Sequence, residues 1–273
     1  MAKKKSKKIV EQKKFARKKV LVKKKKNIVG KKKNEKPIRA ERIARLPIDI
    51  NGFNSMIEGG FKKGSVNLIV GGSGSGKTIF SVQFLLDGLK KNEKCLYITF
   101  EEKKELFYEN MRRFGWDLEL YEKKGNFIFL EYTPEKVKTM LEEGGGEIET
   151  TILEKKIVRL AIDSITSFAL LFENDLLKRE AALQLFNMIR KWGCTSMLTL
   201  EEEPTSGKES AAKPLEFESD SLIYLYFERK KTERQRALEV VKMRGTDHSE
   251  ELREFKIGKK GIQLGKVFSL SQI

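Results

Sequence analysis

The 273-residue sequence predicts an α/β fold: a mostly parallel sheet flanked by helices, with antiparallel strands added near its C-terminus. Two observations carry this. From Leu46 onward, short apolar runs alternate with helical stretches, the rhythm of parallel strands joined by crossover helices. From Ser221 the rhythm changes to strands separated by short turns, which suits antiparallel pairing.

The elements follow in order. Ser65–Val70 reads as a short apolar strand, then a Gly-rich turn, then a helix from about Lys77 to Lys91. Cys95–Phe100 is a second strand and Glu102–Phe114 a helix. Asn126–Glu131 is a third strand, followed by a helix over Pro134–Glu143. Gly144, Gly145 and Gly146 break the chain before a fourth strand, Ile157–Ile162. Leu176–Lys191 is helical and Thr195–Leu200 is the fifth strand. The late strands are Leu222–Phe227, Ala237–Lys242, Glu254–Ile257 and Gly261–Leu264. There is no internal repeat, so one catalytic unit is expected.

The net charge of +17 is unevenly spread. Residues 1–45 hold 21 Lys/Arg and 3 Asp/Glu, while the remainder carries 35 basic and 36 acidic residues. The excess therefore lies at the N-terminus, and the core is close to neutral. A lysine-rich tail over residues 1–36 repels itself and lacks the apolar area to fold alone, so it is expected to be disordered, with the folded domain over 37–273. Such a tail binds polyanions: nucleic acid, acidic protein surfaces and anionic membrane all fit. Its apolar residues do not line one helical face, and Phe15 is its only aromatic, so base stacking would add little. No run of about 18 apolar residues exists, and no secretory leader pattern follows the first lysines. Cys95 and Cys194 lie in apolar runs without metal-ligand spacing, which suits buried, reduced thiols in a cytoplasmic protein.

The chemistry concentrates in Gly71-Gly72-Ser73-Gly74-Ser75-Gly76-Lys77-Thr78, a complete G-x-x-x-x-G-K-[ST] phosphate loop with a strand before it and a helix after it. Backbone N–H groups from Gly72 through Thr78 can turn inward around phosphate oxygens, and the helix N-terminus adds partial positive charge. Lys77 is expected to reach the β- and γ-phosphates, and the Thr78 hydroxyl to ligand Mg2+. Asp163, at the end of an apolar strand, stands where a second Mg2+ ligand is needed, although a turn or helix-capping aspartate also fits that position. Glu101 and Glu102 follow the next strand. Either could activate the water that attacks the γ-phosphorus, or both could complement a helix dipole.

Over residues 45–268 the chain resembles the KaiC-like branch of the RecA-superfamily ATPases. The approach Leu46-Pro47-Ile48-Asp49-Ile50-Asn51-Gly52-Phe53, then Gly59-Gly60-Phe61-Lys62-Lys63-Gly64-Ser65, looks like that family's entry to the phosphate loop. Thr99-Phe100-Glu101-Glu102 matches its glutamate pair, and Ile162-Asp163-Ser164-Ile165-Thr166 its Walker-B strand end. Lys242-Met243-Arg244-Gly245-Thr246-Asp247-His248 matches a late strand whose Lys and Arg reach a neighbouring subunit's γ-phosphate.

The resemblance implies a RecA-like core, ATP and Mg2+ as ligands, and a homo-oligomer, with a hexamer among the forms it could take. It also implies Glu101 or Glu102 as base and Lys242 and Arg244 as trans-acting groups. Read without it, those two are equally well solvated strand cations. His248 fits a structural or interface role. The chain departs from the pattern at Thr199-Leu200-Glu201-Glu202, where relatives often place an arginine after the glutamate. No guanine-reading N-K-x-D motif is present, which favours ATP over GTP.

Two other functions stay open: a nucleotide-dependent switch with little hydrolysis, and a recombination accessory protein whose tail supplies DNA affinity. The segment Glu201–Glu216 holds five acids and two lysines, which makes it a poor DNA grip.

Overall fold

The computed structural model describes residues 43–204, 213–230 and 232–268; the expected tail over 1–36 lies outside them. The chain enters through β1 (Arg45–Leu46), the short α1 (Phe53–Met56) and β2 (Phe61–Lys62), with β1 and β2 paired antiparallel. The first long strand, β3 (Val66–Gly71), feeds α2 (Lys77–Lys90). Then come β4 (Cys95–Thr99), α3 (Lys104–Arg112), α4 (Leu118–Lys123) and β5 (Phe127–Glu131). After α5 (Pro134–Glu143) and α6 (Gly146–Lys155) the chain forms β6 (Arg159–Asp163), α7 (Thr166–Ala169), α8 (Asp175–Trp192) and β7 (Thr195–Glu201). It closes with α9 (Lys213–Glu218), β8 (Ser221–Lys230), β9 (Glu233–Met243), β10 (Arg253–Gly258) and β11 (Gly261–Val267).

Among the described residues, nine strands form one sheet in the order β11-β10-β9-β8-β3-β7-β6-β4-β5. Every pair from β8 through β5 is parallel, and β8 to β11 form an antiparallel meander. This is the expected fold class. The register is what makes a site: Gly71 pairs with Glu201, and Thr99 pairs with Asp163. The carboxyl ends of β3, β7, β6 and β4 therefore finish side by side.

Both faces of the parallel sheet are covered, which is why β3 and β4 are buried at every position. On one face α2 contributes Phe80, Phe84, Leu85 and Leu89, all essentially inaccessible, each burial worth roughly 1.5–3 kcal/mol. On the other, α8 packs Ala182, Leu185, Phe186 and Ile189 against Leu68, Leu96 and Leu198. Arg159 lies fully buried between β6 and α2. It pairs with Asp87 at 2.7 Å and Glu93 at 2.6 Å, and donates to the carbonyls of Pro47 and Phe84.

Three expectations need correction. The helix anticipated from Glu102 begins at Lys104, because the Thr99 hydroxyl accepts from the N–H groups of Glu101 and Glu102 and holds both in a loop. The pair therefore does not complement a helix dipole. The fourth strand begins two residues later than expected and includes Asp163. The triple glycine does not simply break the chain: it opens α6, whose first turn carries Glu147 and Glu149 and which buries Ile148 and Ile152.

Candidate active site

The phosphate loop leaves β3 at Gly71 and enters α2 through Gly76, whose φ of +109° places it in the left-handed region where a side chain would be strained. Gly71 is required for a different reason. A Cβ there would lie 2.5 Å from the Leu225 carbonyl oxygen, and one on Gly72 would have to displace the Glu203 carboxylate. The buried Ser75 hydroxyl has no hydrogen-bond partner among the described residues. A cradle closed to side chains, with an unsatisfied hydroxyl on its wall, fits a ligand rich in acceptor oxygens.

Lys77 is buried and donates to the carbonyls of Gly71 at 2.8 Å and Gly72 at 3.0 Å. Its ammonium also stands 3.8 Å from the Glu201 carboxylate. Burial pushes its pKa below the ordinary lysine range, against the pull of Glu201, Asp163, Glu203 and Glu101. Thr78 donates to Asp163 Oδ2 at 2.6 Å, and Tyr97 donates to the same oxygen at 2.8 Å. The Thr199 hydroxyl donates to Asp163 Oδ1. A carboxylate and a hydroxyl in contact at the end of the loop form a hard-oxygen pair of the kind that binds Mg2+ alongside phosphate oxygens, so the residues present fit that ion. Burial drives the Tyr97 phenol well above its ordinary range, with the Asp163 charge adding to the shift.

Glu101 and Glu102 both line the same cleft of about 420 Å³. Glu101 is exposed and accepts from the Ser167 hydroxyl at 3.2 Å. Glu102 is half-buried, accepts from the Asn110 side chain at 2.9 Å, and is raised above the usual carboxylate range, chiefly by burial.

Lys242 and Arg244 are not brought to this cleft. Lys242 pairs with Leu222, which is level with Leu68, three residues short of the loop end. That is about 10 Å back along the strand. Lys242 donates to the carbonyls of Glu216 at 2.9 Å and Phe217 at 3.1 Å, and Arg244 to that of Phe217 at 2.9 Å, so both cap the end of α9. His248 contacts the Ser249 carbonyl.

Sequence reading missed Arg236. Its guanidinium donates to the Gly74 carbonyl in the phosphate loop at 2.9 and 3.1 Å and stands 3.9 Å from the Phe227 ring centre. The only sequence signal was the alternation of Arg234 and Arg236 on a strand, which says nothing about what the strand faces. Tyr97, Thr199 and Glu203 were missed as well, because only the sheet order sets them around Asp163 and Gly72.

With this geometry in view, the comparison with known proteins is direct. The family described as "ATPase: KaiC" matches residues 46–267. The chain belongs to the KaiC ATPase family. It is similar to the circadian clock oscillator protein KaiC of Synechococcus elongatus, 30% identical over 82% of this chain and 44% of that one. A UPF0273 protein of Pyrococcus horikoshii is 34% identical over 80% of this chain and 92% of its own. Among solved structures, a KaiC-like protein from P. horikoshii superposes with a TM-score of 0.72 at 34% identity, over 82% of this chain and all of that one. The chain spans about half the length of the clock proteins it matches. Membership carries with it a RecA-type phosphate-loop ATPase core and ATP as the expected ligand. Among the described residues, no helix is long and apolar enough to cross a membrane.

Proposed function

We propose that this KaiC-like chain hydrolyses ATP with Mg2+ at sites shared between copies of itself. One observation carries the reading. The phosphate loop, Asp163 and Glu101 meet in one cleft, while Lys242 and Arg244 sit back toward the amino ends of β3 and β8, the opposite end of the sheet. Groups so placed are not delivered to the nucleotide of their own subunit, and another's is the site they can meet once they let go of the α9 carbonyls.

The β- and γ-phosphates lie in the Gly72–Thr78 cradle, held by backbone N–H groups and the N-terminus of α2. Lys77 exchanges the carbonyls of Gly71 and Gly72 for phosphate oxygens. Thr78 and Asp163 would hold Mg2+, which would supply positive charge against the phosphate oxygens. Tyr97 and Thr199 orient the Asp163 carboxylate.

Glu101, steadied by Ser167, accepts a proton from the attacking water. The new O–P bond forms as the bond from the γ-phosphorus to the bridging oxygen breaks, and ADP leaves with that electron pair. Glu102, tied to Asn110, fixes the loop that presents Glu101. Lys242 and Arg244 release the end of α9 and stabilise the γ-phosphate charge in the neighbouring copy.

Mixing two inactive variants tests the shared site. Glu101→Gln lacks the base but keeps the trans-acting cations, and Arg244→Ala lacks a cation but keeps the base. Turnover recovered on mixing supports the reading. A mixture as inactive as its components, with assembly of mixed oligomers demonstrated, overturns it.

A further inference from the structure

We propose that the outer antiparallel ribbon of the sheet binds the phosphate backbone of single-stranded nucleic acid, in a groove between β9 and β10 beside the phosphate loop. This proposal does not depend on hydrolysis. The core is neutral as a whole, but its charge is not evenly distributed. Residues 228–236 and 254–266 hold nine Lys/Arg against three Glu. Among the described residues Arg229, Arg234, Lys256, Lys259, Lys260 and Lys266 are exposed, and none joins a salt bridge, whereas cations elsewhere on the core repeatedly pair with acids.

The backbone makes a groove of this surface. β9 and β10 pair only over Arg236–Leu238 and Arg253–Phe255, then diverge. The opening encloses about 600 Å³, lined by Arg234, Arg236, Lys256 and Lys266 together with Glu233 and Glu254. The β8–β9 hairpin carries its pairing to Lys230 and Glu233, five residues past the Leu225–Gly71 level. That is an overhang of about 17 Å.

Arg234 and Arg236 share a strand face about 7 Å apart and stand 5.0 and 3.9 Å from the Phe227 ring centre. Guanidinium forks spaced along a strand beside an aromatic ring recognise successive phosphates and tolerate any base. The ribbon offers a membrane little, since among its described residues the large exposed apolar side chains are Val241 and Val267 alone. Because Arg236 also holds the Gly74 carbonyl, the groove touches the nucleotide site directly.

The test uses the full chain and a fluorescent oligothymidylate, followed by anisotropy across a salt series. The variant R234Q/K256Q/K266Q removes three groove charges, and K23Q/K24Q/K25Q removes three from the tail. The groove variant is expected to bind at least tenfold more weakly at physiological salt. Its log–log salt slope should be shallower by about 2, at about 0.7 per lost phosphate contact. If the threefold variant melts early, K256Q and K266Q singly should each flatten the slope by about 0.7. Native-like binding by the groove variants, with the loss confined to the tail variant, overturns the proposal. So does groove-dependent binding to anionic phosphatidylserine vesicles without oligonucleotide binding.

Discussion

The Thr78 hydroxyl donates to the Asp163 carboxylate at 2.6 Å, joining the end of the phosphate loop to the end of β6 across 85 residues of sequence. That contact exists because β3 and β6 flank β7 in one parallel sheet, so that their carboxyl ends finish together. Asp163→Asn removes the charge and leaves the size. It is expected to raise the Mg2+ concentration for half-maximal turnover by roughly 10–100-fold, as when a carboxylate is lost from a metal's surroundings. A Mg2+ titration at saturating ATP checks this.

Glu101 and Glu102 are adjacent in sequence but differ in surroundings. Glu101→Gln should cut turnover by about 10²–10⁴-fold while leaving ATP affinity nearly unchanged, the loss expected of a general base. Steady-state rates beside equilibrium binding of a fluorescent ATP analogue separate the two effects.

The Glu102 carboxyl is raised in the folded chain, chiefly by burial. A raised carboxylate means that the folded state holds its proton more tightly than the unfolded state. The cost of ionising it is therefore absent at acid pH and fully present once pH exceeds the folded value. Glu102→Gln keeps an acceptor for Asn110 and removes that cost. Its Tm should exceed the native Tm at pH 8, and the gap should close toward pH 4.

Arg159 is sealed between two carboxylates and two carbonyls. Arg159→Ala leaves Asp87 and Glu93 without their buried partner and is expected to cost about 3–5 kcal/mol. Denaturant unfolding of both proteins reads this directly.

Much of this was legible in the sequence, for identifiable reasons. The phosphate loop is contiguous, so Gly71–Thr78 could be read without knowing any tertiary contact. Asp163 and Glu101 lie at strand ends, and hydrophobic runs mark strand ends well. Lys242 and Arg244 were visible through family resemblance alone; their position beside α9, back from the loop end, needed the register of β8 and β9. What stayed hidden depended on strand order. Tyr97 reads as a core aromatic, and only the β4–β6 pairing turns its hydroxyl to Asp163. Helix α6 was obscured by three glycines, although Ile148 and Ile152 already had helical spacing. Arg236 was hidden because nothing local reveals that the β8–β9 hairpin overhangs Gly74.

The most direct test of the central claim, ATP hydrolysis at a shared site, is turnover per subunit across a wide range of protein concentration, with Lys77→Ala as background. The account predicts a rate that rises with concentration and levels off as the oligomer forms. Full activity in dilute monomer would contradict the shared site. A rate at the Lys77→Ala background throughout, with ATP bound, would make the protein a nucleotide-dependent switch and not a hydrolase.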